Sequence, residues 1–348
     1  PIQCDRLVVE ADEGPYKGVN VPLPHSNTQY AFGCRVDMRS PSNIIKAYEL
    51  ISRYGLDNDQ TAVAIAWAFE CYEKGILTKA DTDGLNLTWG NDAAVIALIR
   101  KIATRNGFGR LLGEGTRKAS EVTGKGSDYY CTALKGQDNL DAIRSCKGWS
   151  LGELVSLRGG RHLDGCPTTE FFPGTPPELG EKLFGVPTAF TPTTYEGKGR
   201  LVSWFSRFKA AIDSLGVCYF TSWWLTPEFC GPEDYADALS AATGREISGD
   251  ELMRIGQRIH NVEKAFNTLH AGFTRKDDVP PLIYMKEPIK HGPYKGELIT
   301  QEGLDTMLDE YYETNGWDKK TSWQIKETLE TLGLPEVMER LREASKLV

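Results

Sequence analysis

Long hydrophobic runs are missing from this chain: no stretch of about eighteen apolar residues occurs, so no segment can cross a membrane as a helix. An excess of positive charge is missing too. Lys and Arg number 40 against 48 Asp and Glu, and the net charge of −8 excludes the broad basic face a nucleic-acid partner needs. An anionic cofactor held in a local basic pocket stays compatible with that balance. The 8 cysteines lack the compact spacing of a disulfide framework, which leaves reduced thiols with a few metal ligands among them. With no signal peptide at its start, the chain is expected in the cytoplasm. It opens Pro1-Ile2-Gln3-Cys4 without an initiator Met, so further residues are expected upstream. Strand-like alternation is scarce, and no internal repeat is visible.

What is present is helical periodicity in a chain of 348 residues, longer than one core usually spans. Residues 1–40 are rich in Gly, Pro and polar side chains and read as loop with short strand. Ser40-Pro41-Ser42 signals a helix start, and Ile44, Ile45, Tyr48, Ile51 and Tyr54 follow at helical spacing until Gly55 ends the pattern. A more apolar helix is expected over 59–73, a third from Asn91-Asp92 to Ile102, and one more from about Gly109 through Ala119. The run Thr123-Gly124-Lys125-Gly126-Ser127-Asp128 has linker composition, which places a domain boundary near residue 135. Residues 148–194 read as a long loop-rich region, and such a stretch inside a compact domain is usually functional. Helices are expected again over 196–215, 232–243 and 248–269, with three short ones after the Pro/Gly-rich segment 279–300. The fold class is mainly α, in two helical domains, 1–135 and 136–348.

Taken alone, a cysteine is most often a small buried hydrophobe. Cys71, Cys131 and Cys146 sit in apolar contexts that keep that reading. Cys4 stands among charged residues, and Cys218 directly follows Gly216-Val217 at a helix end, where irregular backbone can donate N–H groups to cluster sulfurs. Two cysteines cannot hold an iron–sulfur cluster alone, so their partners would lie before Pro1. Two hexads match each other: Ser52-Arg53-Tyr54-Gly55-Leu56-Asp57 and Asp213-Ser214-Leu215-Gly216-Val217-Cys218.

These hexads, read with Cys4, resemble the aldehyde:ferredoxin oxidoreductase family of tungsten-pterin, iron–sulfur enzymes. The resemblance runs along nearly the whole chain through Gly14-Pro15-Tyr16-Lys17-Gly18, Tyr72-Glu73-Lys74-Gly75-Ile76-Leu77-Thr78, Thr82-Asp83-Gly84-Leu85, Arg158-Gly159-Gly160-Arg161-His162-Leu163, Arg275-Lys276-Asp277-Asp278 and Leu308-Asp309-Glu310-Tyr311-Tyr312. It implies the family's second and third domains, without its β-rich first domain. It further implies a tungsten (or molybdenum) bis-pyranopterin and a [4Fe–4S] cluster, with Cys4 and Cys218 as the third and fourth cluster ligands; Cys230 is a rival for the latter. Gly55, Leu56 and Asp57 would serve one pterin, and Asp213, Gly216 and Val217 the other, a carboxylate and helix-end backbone groups reading the donor edge of the ring. Ser52 stands where the family's motif begins with Asp.

By the same resemblance His162 is the proton-transferring catalytic candidate. Family members that oxidise aldehydes carry carboxylates in a Glu-Tyr-Glu-Thr-like segment where this chain reads Pro24-His25-Ser26-Asn27-Thr28, leaving His25 as a second catalytic candidate and Cys34 as a thiolate for the metal. Cys34 read bottom-up fits a buried packing cysteine equally well. The loss of carboxylates favours low-potential reduction of an aromatic acyl-CoA, as in the catalytic subunit of class II benzoyl-CoA reductase. The alternative is aldehyde:ferredoxin oxidoreduction, and a non-catalytic helical interaction module is the reading of another class. The partners implied are the missing N-terminal domain, an iron–sulfur electron-transfer protein and a small-molecule substrate.

Overall fold

A computed structural model describes residues 7–141, 143–172 and 175–348. Cys4 therefore lies outside the described residues. The chain divides into two compact units, 1–141 and 142–348, each mainly helical.

The first unit opens with an antiparallel pair, β1 (Val8–Glu10) and β2 (Asn20–Pro22), in which Val9 faces Val21. A short helix, α1 (Ser26–Gln29), runs directly into a π-helical turn over Tyr30–Arg35. Helix α2 (Pro41–Tyr54) starts as its sequence dictates: the Ser40 hydroxyl accepts from Asn43 N, and Pro41 occupies the first turn, where its missing N–H costs nothing. Helix α3 (Asn58–Glu73) is apolar on every side, and Ala62 through Phe69 are buried, so it forms the centre of the core. Around it pack α2, α4 (Asp92–Ala103) and the Phe32 ring.

One long helix was expected from Gly109 onward. Two form instead, α5 (Phe108–Leu112) and α6 (Thr116–Thr123), because Gly113-Glu114-Gly115 interrupts the pattern. The free N–H of Thr116 at the start of α6 is taken by the buried Asp138 carboxylate at 3.0 and 3.1 Å. Asp138 belongs to a hairpin, β3 (Ala133–Leu134) and β4 (Gln137–Asp138), and Gln60 on α3 bonds both its carbonyl (2.9 Å) and its N–H (3.0 Å). These bonds tie the hairpin to the first unit, so the division falls after Asp141 rather than near residue 135.

The second unit is built on α9 (Lys198–Leu215), α11 (Gly249–His270) and α13 (Gln301–Asn315). Its core holds Leu201, Phe205, Phe208, Ile212, Trp224 and Leu252. The region expected as loop over 148–194 contains two helices, α7 (Lys147–Val155) and α8 (Pro177–Phe184), with 3-10 turns between them. Helix α10 (Pro232–Thr243) has the limits its Gly-Pro-Glu-Asp start predicts, with Asp234 bonding back to Gly231 N at 2.7 Å. The segment 279–300 is irregular apart from α12 (Leu282–Lys286), and α14 (Lys326–Thr331) and α15 (Pro335–Glu343) end the chain. Two of the matching sequence blocks near the end form one staple: Arg275 grips Asp309 (2.5 Å) and Asp305 (2.9 Å), while Tyr312 donates to Asp278 (2.6 Å). No helix of the described residues is long and apolar enough to cross a membrane.

Candidate cofactor site

Each hexad is a helix end followed by the start of the next element. At the first, Gly55 takes left-handed backbone angles (φ 64°, ψ 32°), which glycine adopts without steric cost. Its N–H bonds Ser52 O (3.3 Å) and the Leu56 N–H bonds Ile51 O (3.0 Å), the double closure of a Schellman cap. Leu56 then packs on the core, and Asp57 turns extended (φ −70°, ψ 131°) with one carboxylate oxygen accepting from Gln60 N at 2.8 Å. Asp57 thereby caps α3 and leaves its other oxygen to the surface.

The second hexad repeats the backbone. Gly216 has φ 69° and ψ 24°, its N–H bonds Asp213 O (3.1 Å), and Cys218 is extended at φ −71° and ψ 124°. The surroundings differ. Val217, at the place of Leu56, is 41 % exposed, and the Cys218 thiol is free and exposed. Its carbonyl accepts from the Thr221 N–H (3.1 Å) and hydroxyl (2.7 Å). Asp213 pairs with Lys209 one turn back, and its side chain is 57 % exposed against 11 % for the lysine. Cys230, the rival thiol, is also exposed, in the loop before α10.

Asp213 borders a cavity of about 420 Å3 within the second unit, with Arg158, Asp164, Lys209, His260 and Glu263 among its walls. Arg158 and Asp164 come from the Arg-Gly-Gly-Arg-His loop, so the structure brings that block and the second hexad to one site. Burial works against the Asp164 charge, yet Arg158 (2.5 Å), Ser156 (2.9 Å) and Arg161 hold its carboxyl below the usual range. Glu263 is pushed up by burial and by the neighbouring Asp164. Burial, with Arg207 and Lys264 nearby, drives His260 down to about 3, so its ring is neutral, bonded to the Tyr311 hydroxyl at 3.0 Å. The walls thus offer fixed donors and acceptors side by side, which suits a ring edge carrying both.

His162 does not line this cavity. It sits in a 3-10 turn (His162–Asp164) with its ring stacked on Trp149 at 5.1 Å and its Nδ1 3.9 Å from a carboxylate oxygen of the fully buried Glu153. His25 is exposed at the start of α1. Two residues on, Asn27 reaches Asp59 (3.4 Å), which places this segment beside the turn of α3 that Asp57 caps. Cys34 is exposed in the π-helical turn, and the buried packing reading of that cysteine does not hold. Cys71 and Cys146 are buried as their contexts imply, their thiols raised by burial to about 12 and about 11. Lys209, Glu263 and His260 were not among the sequence candidates. Lys209 carried a signal, its i,i+4 spacing to Asp213; Glu263 and His260 reach the site only because α11 packs on α9.

The profile of aldehyde ferredoxin oxidoreductase, domains 2 & 3, matches residues 1–334. The chain is 31 % identical over 343 residues to the tungsten-containing aldehyde ferredoxin oxidoreductase of Pyrococcus horikoshii, covering 97 % of this chain and 52 % of that protein. It is 29 % identical over 360 residues to an aliphatic sulfonate oxidoreductase, WOR-like subunit, of Pyrococcus furiosus (99 % of this chain, 51 % of that one). The active site complex BamBC of benzoyl coenzyme A reductase with 1,5-dienoyl-CoA shares the fold at a TM-score of 0.72 and 22 % identity, covering 94 % of this chain and 51 % of that chain. A two-unit helical fold with this profile match defines the class, the second and third domains of the aldehyde ferredoxin oxidoreductase family. The chain belongs to the aldehyde ferredoxin oxidoreductase family, and it spans about half the length of the curated relatives it matches.

Proposed function

We propose that the chain is the cofactor-holding part of a tungsten-pterin oxidoreductase that converts aldehydes to carboxylic acids and passes the electrons to an iron–sulfur partner. The observation that carries this reading is the second hexad: a free, exposed Cys218 thiol stands beside Gly216, and Asp213 borders a cavity of mixed charge. The donor set fits the cofactors. Cys218 supplies the thiolate an iron–sulfur cluster requires, with Cys4 and upstream cysteines completing the set. Asp213, Gly216 and Val217 would hold one pterin, and Gly55, Leu56 and Asp57 the other. When bound, the metal supplies a two-electron acceptor for the reaction of aldehyde and water to carboxylate, two electrons and three protons.

In this reading the chain's own residues do the polar work. Asp213 and the open backbone after Gly216 orient the ring edge, Lys209 and Arg158 balance the carboxylates, and His162 exchanges a proton. The relatives of 31 % identity named as aldehyde ferredoxin oxidoreductases support aldehydes as the substrate class. One observation favours a second reading, reduction of an aromatic acyl-CoA: the segment 24–28 carries no carboxylate of its own, and its one titratable side chain is His25. The test is turnover by the full-length protein. Aldehyde oxidation coupled to a low-potential acceptor supports the first reading; turnover of dienoyl-CoA or benzoyl-CoA alone reverses the order. Absence of both tungsten and pterin from the purified protein rules out the enzyme.

A further inference from the structure

The His162 turn lies directly on helix α7, and two glycines make that possible. An added Cβ on Gly152 would meet Cys166 Sγ at 2.5 Å and its Cα at 2.8 Å; on Gly148 it would meet Pro167 Cγ at 2.9 Å and Glu170 Oε1 at 3.0 Å. These glycines, one turn apart on one face, explain why the composition reads as loop where a helix forms. Helix propensity is sacrificed so that the 162–170 segment can touch the helix backbone.

Two further bonds fix the contact. The Glu170 carboxylate accepts from Gly148 N (3.0 Å) and Trp149 N (2.8 Å), taking up free N–H groups at the start of α7. Lys198 Nζ reaches the same carboxylate at 2.6 Å and also Ala189 O and Thr191 O, both at 2.7 Å. Both side chains of this ion pair are 0 % exposed, and the ammonium group has three acceptors, the condition under which a buried pair holds its geometry. On the other side, Cys166 N bonds His162 O (3.0 Å) and Cys166 Sγ donates to Trp149 O (3.3 Å). The Trp149 indole contacts both the His162 ring (5.1 Å, 22° between planes) and the Phe171 ring (4.5 Å).

We propose that Trp149 is a positioning residue for His162: its indole, carried on backbone that the Glu170–Lys198 pair anchors, is the platform that holds the imidazole in one orientation beside Glu153. This rests on the reading of His162 as the proton-exchanging group, and the experiment keeps the two apart. Full-length protein is treated with diethyl pyrocarbonate, and modification of His162 is followed by peptide mass spectrometry, with the exposed His291 as internal reference. Removing the stacked ring in Trp149→Leu should speed His162 modification roughly fivefold, the factor that one aromatic pair accounts for, while Trp149→Phe stays within about twofold of wild type. An equal His162 rate in Trp149→Leu and wild type overturns the proposal. Should Trp149→Leu not fold, the wild type still decides: the indole ring current should displace the His162 ring protons upfield of those of His291, and coincident resonances overturn it. Separately, full turnover by His162→Ala removes the chemical role of His162 and leaves the positioning result standing.

Discussion

The two hexads, 52–57 and 213–218, have nearly the same backbone and different surroundings. Gly55 and Gly216 differ by 5° in φ (64° and 69°), and Asp57 and Cys218 by 1° (−70° and −71°). In the first hexad the side chains close on the protein: Leu56 packs on the core and Asp57 caps α3. In the second they open outward: Val217 and the Cys218 thiol are exposed, and Asp213 faces a cavity. The same turn therefore has its side chains largely engaged by the protein in one unit and left open in the other. A glycine helix cap is common, so the side chains that flank it decide what the turn can do.

The largest effect that separates the hexads is expected at their last residue. Cys218→Ala should abolish the electron paramagnetic resonance signal of the reduced cluster in the full-length protein, whereas Asp57→Ala should keep it. A retained signal in Cys218→Ala transfers the ligand role to another thiol, with Cys230 the first to examine. Next comes the leading residue. Asp213→Asn should lower turnover roughly tenfold to a hundredfold, as loss of a hydrogen bond to a charged group implies. Ser52→Ala should change it by less than about twofold. Equal losses at the two positions would make the hexads equivalent.

Acidification gives a third contrast. His260, on the wall of the second-hexad cavity, is held at about 3 in the fold against an ordinary value of 6.5. The unfolded chain binds this proton first, so the histidine costs stability as pH falls below about 6.5, and the loss grows until pH nears the folded value. Denaturant midpoints measured between pH 7 and 5 should fall less in His260→Gln than in wild type; parallel slopes would remove His260 as the cause.

Smallest and most nearly equal are the glycine substitutions. At Gly55 and Gly216 an added Cβ meets nothing within 4 Å, so Ala costs only the left-handed backbone, about 1 kcal/mol at each in chemical denaturation. A much larger loss at either glycine would reveal a packing role that the open surroundings do not show.

Much of the helical architecture could be read along the chain because caps are local. Ser40-Pro41 starts α2, Asn91 starts α4, and Gly231-Pro232 starts α10, each through atoms within four residues. The reading failed where distant contact overrode propensity. Helix α7 carries Gly148 and Gly152 for the close approach of Cys166 and Glu170, and composition alone presents that as loop. The hairpin 133–138 was cut by the expected boundary because its bonds to Gln60 and Thr116 come from elements far back in the chain.

For the candidate site, sequence by itself determined the family, the two hexads and the chemical character of Asp213 and Cys218, since those lie in contiguous motifs whose backbone is set by neighbouring residues. Only the tertiary structure decided that the Arg158–Asp164 loop shares a cavity with Asp213, that His260 and Glu263 join it, and that His162 rests on Trp149 rather than lining that cavity. Burial and long-range packing fix those relations, and neither is encoded in any short run of residues.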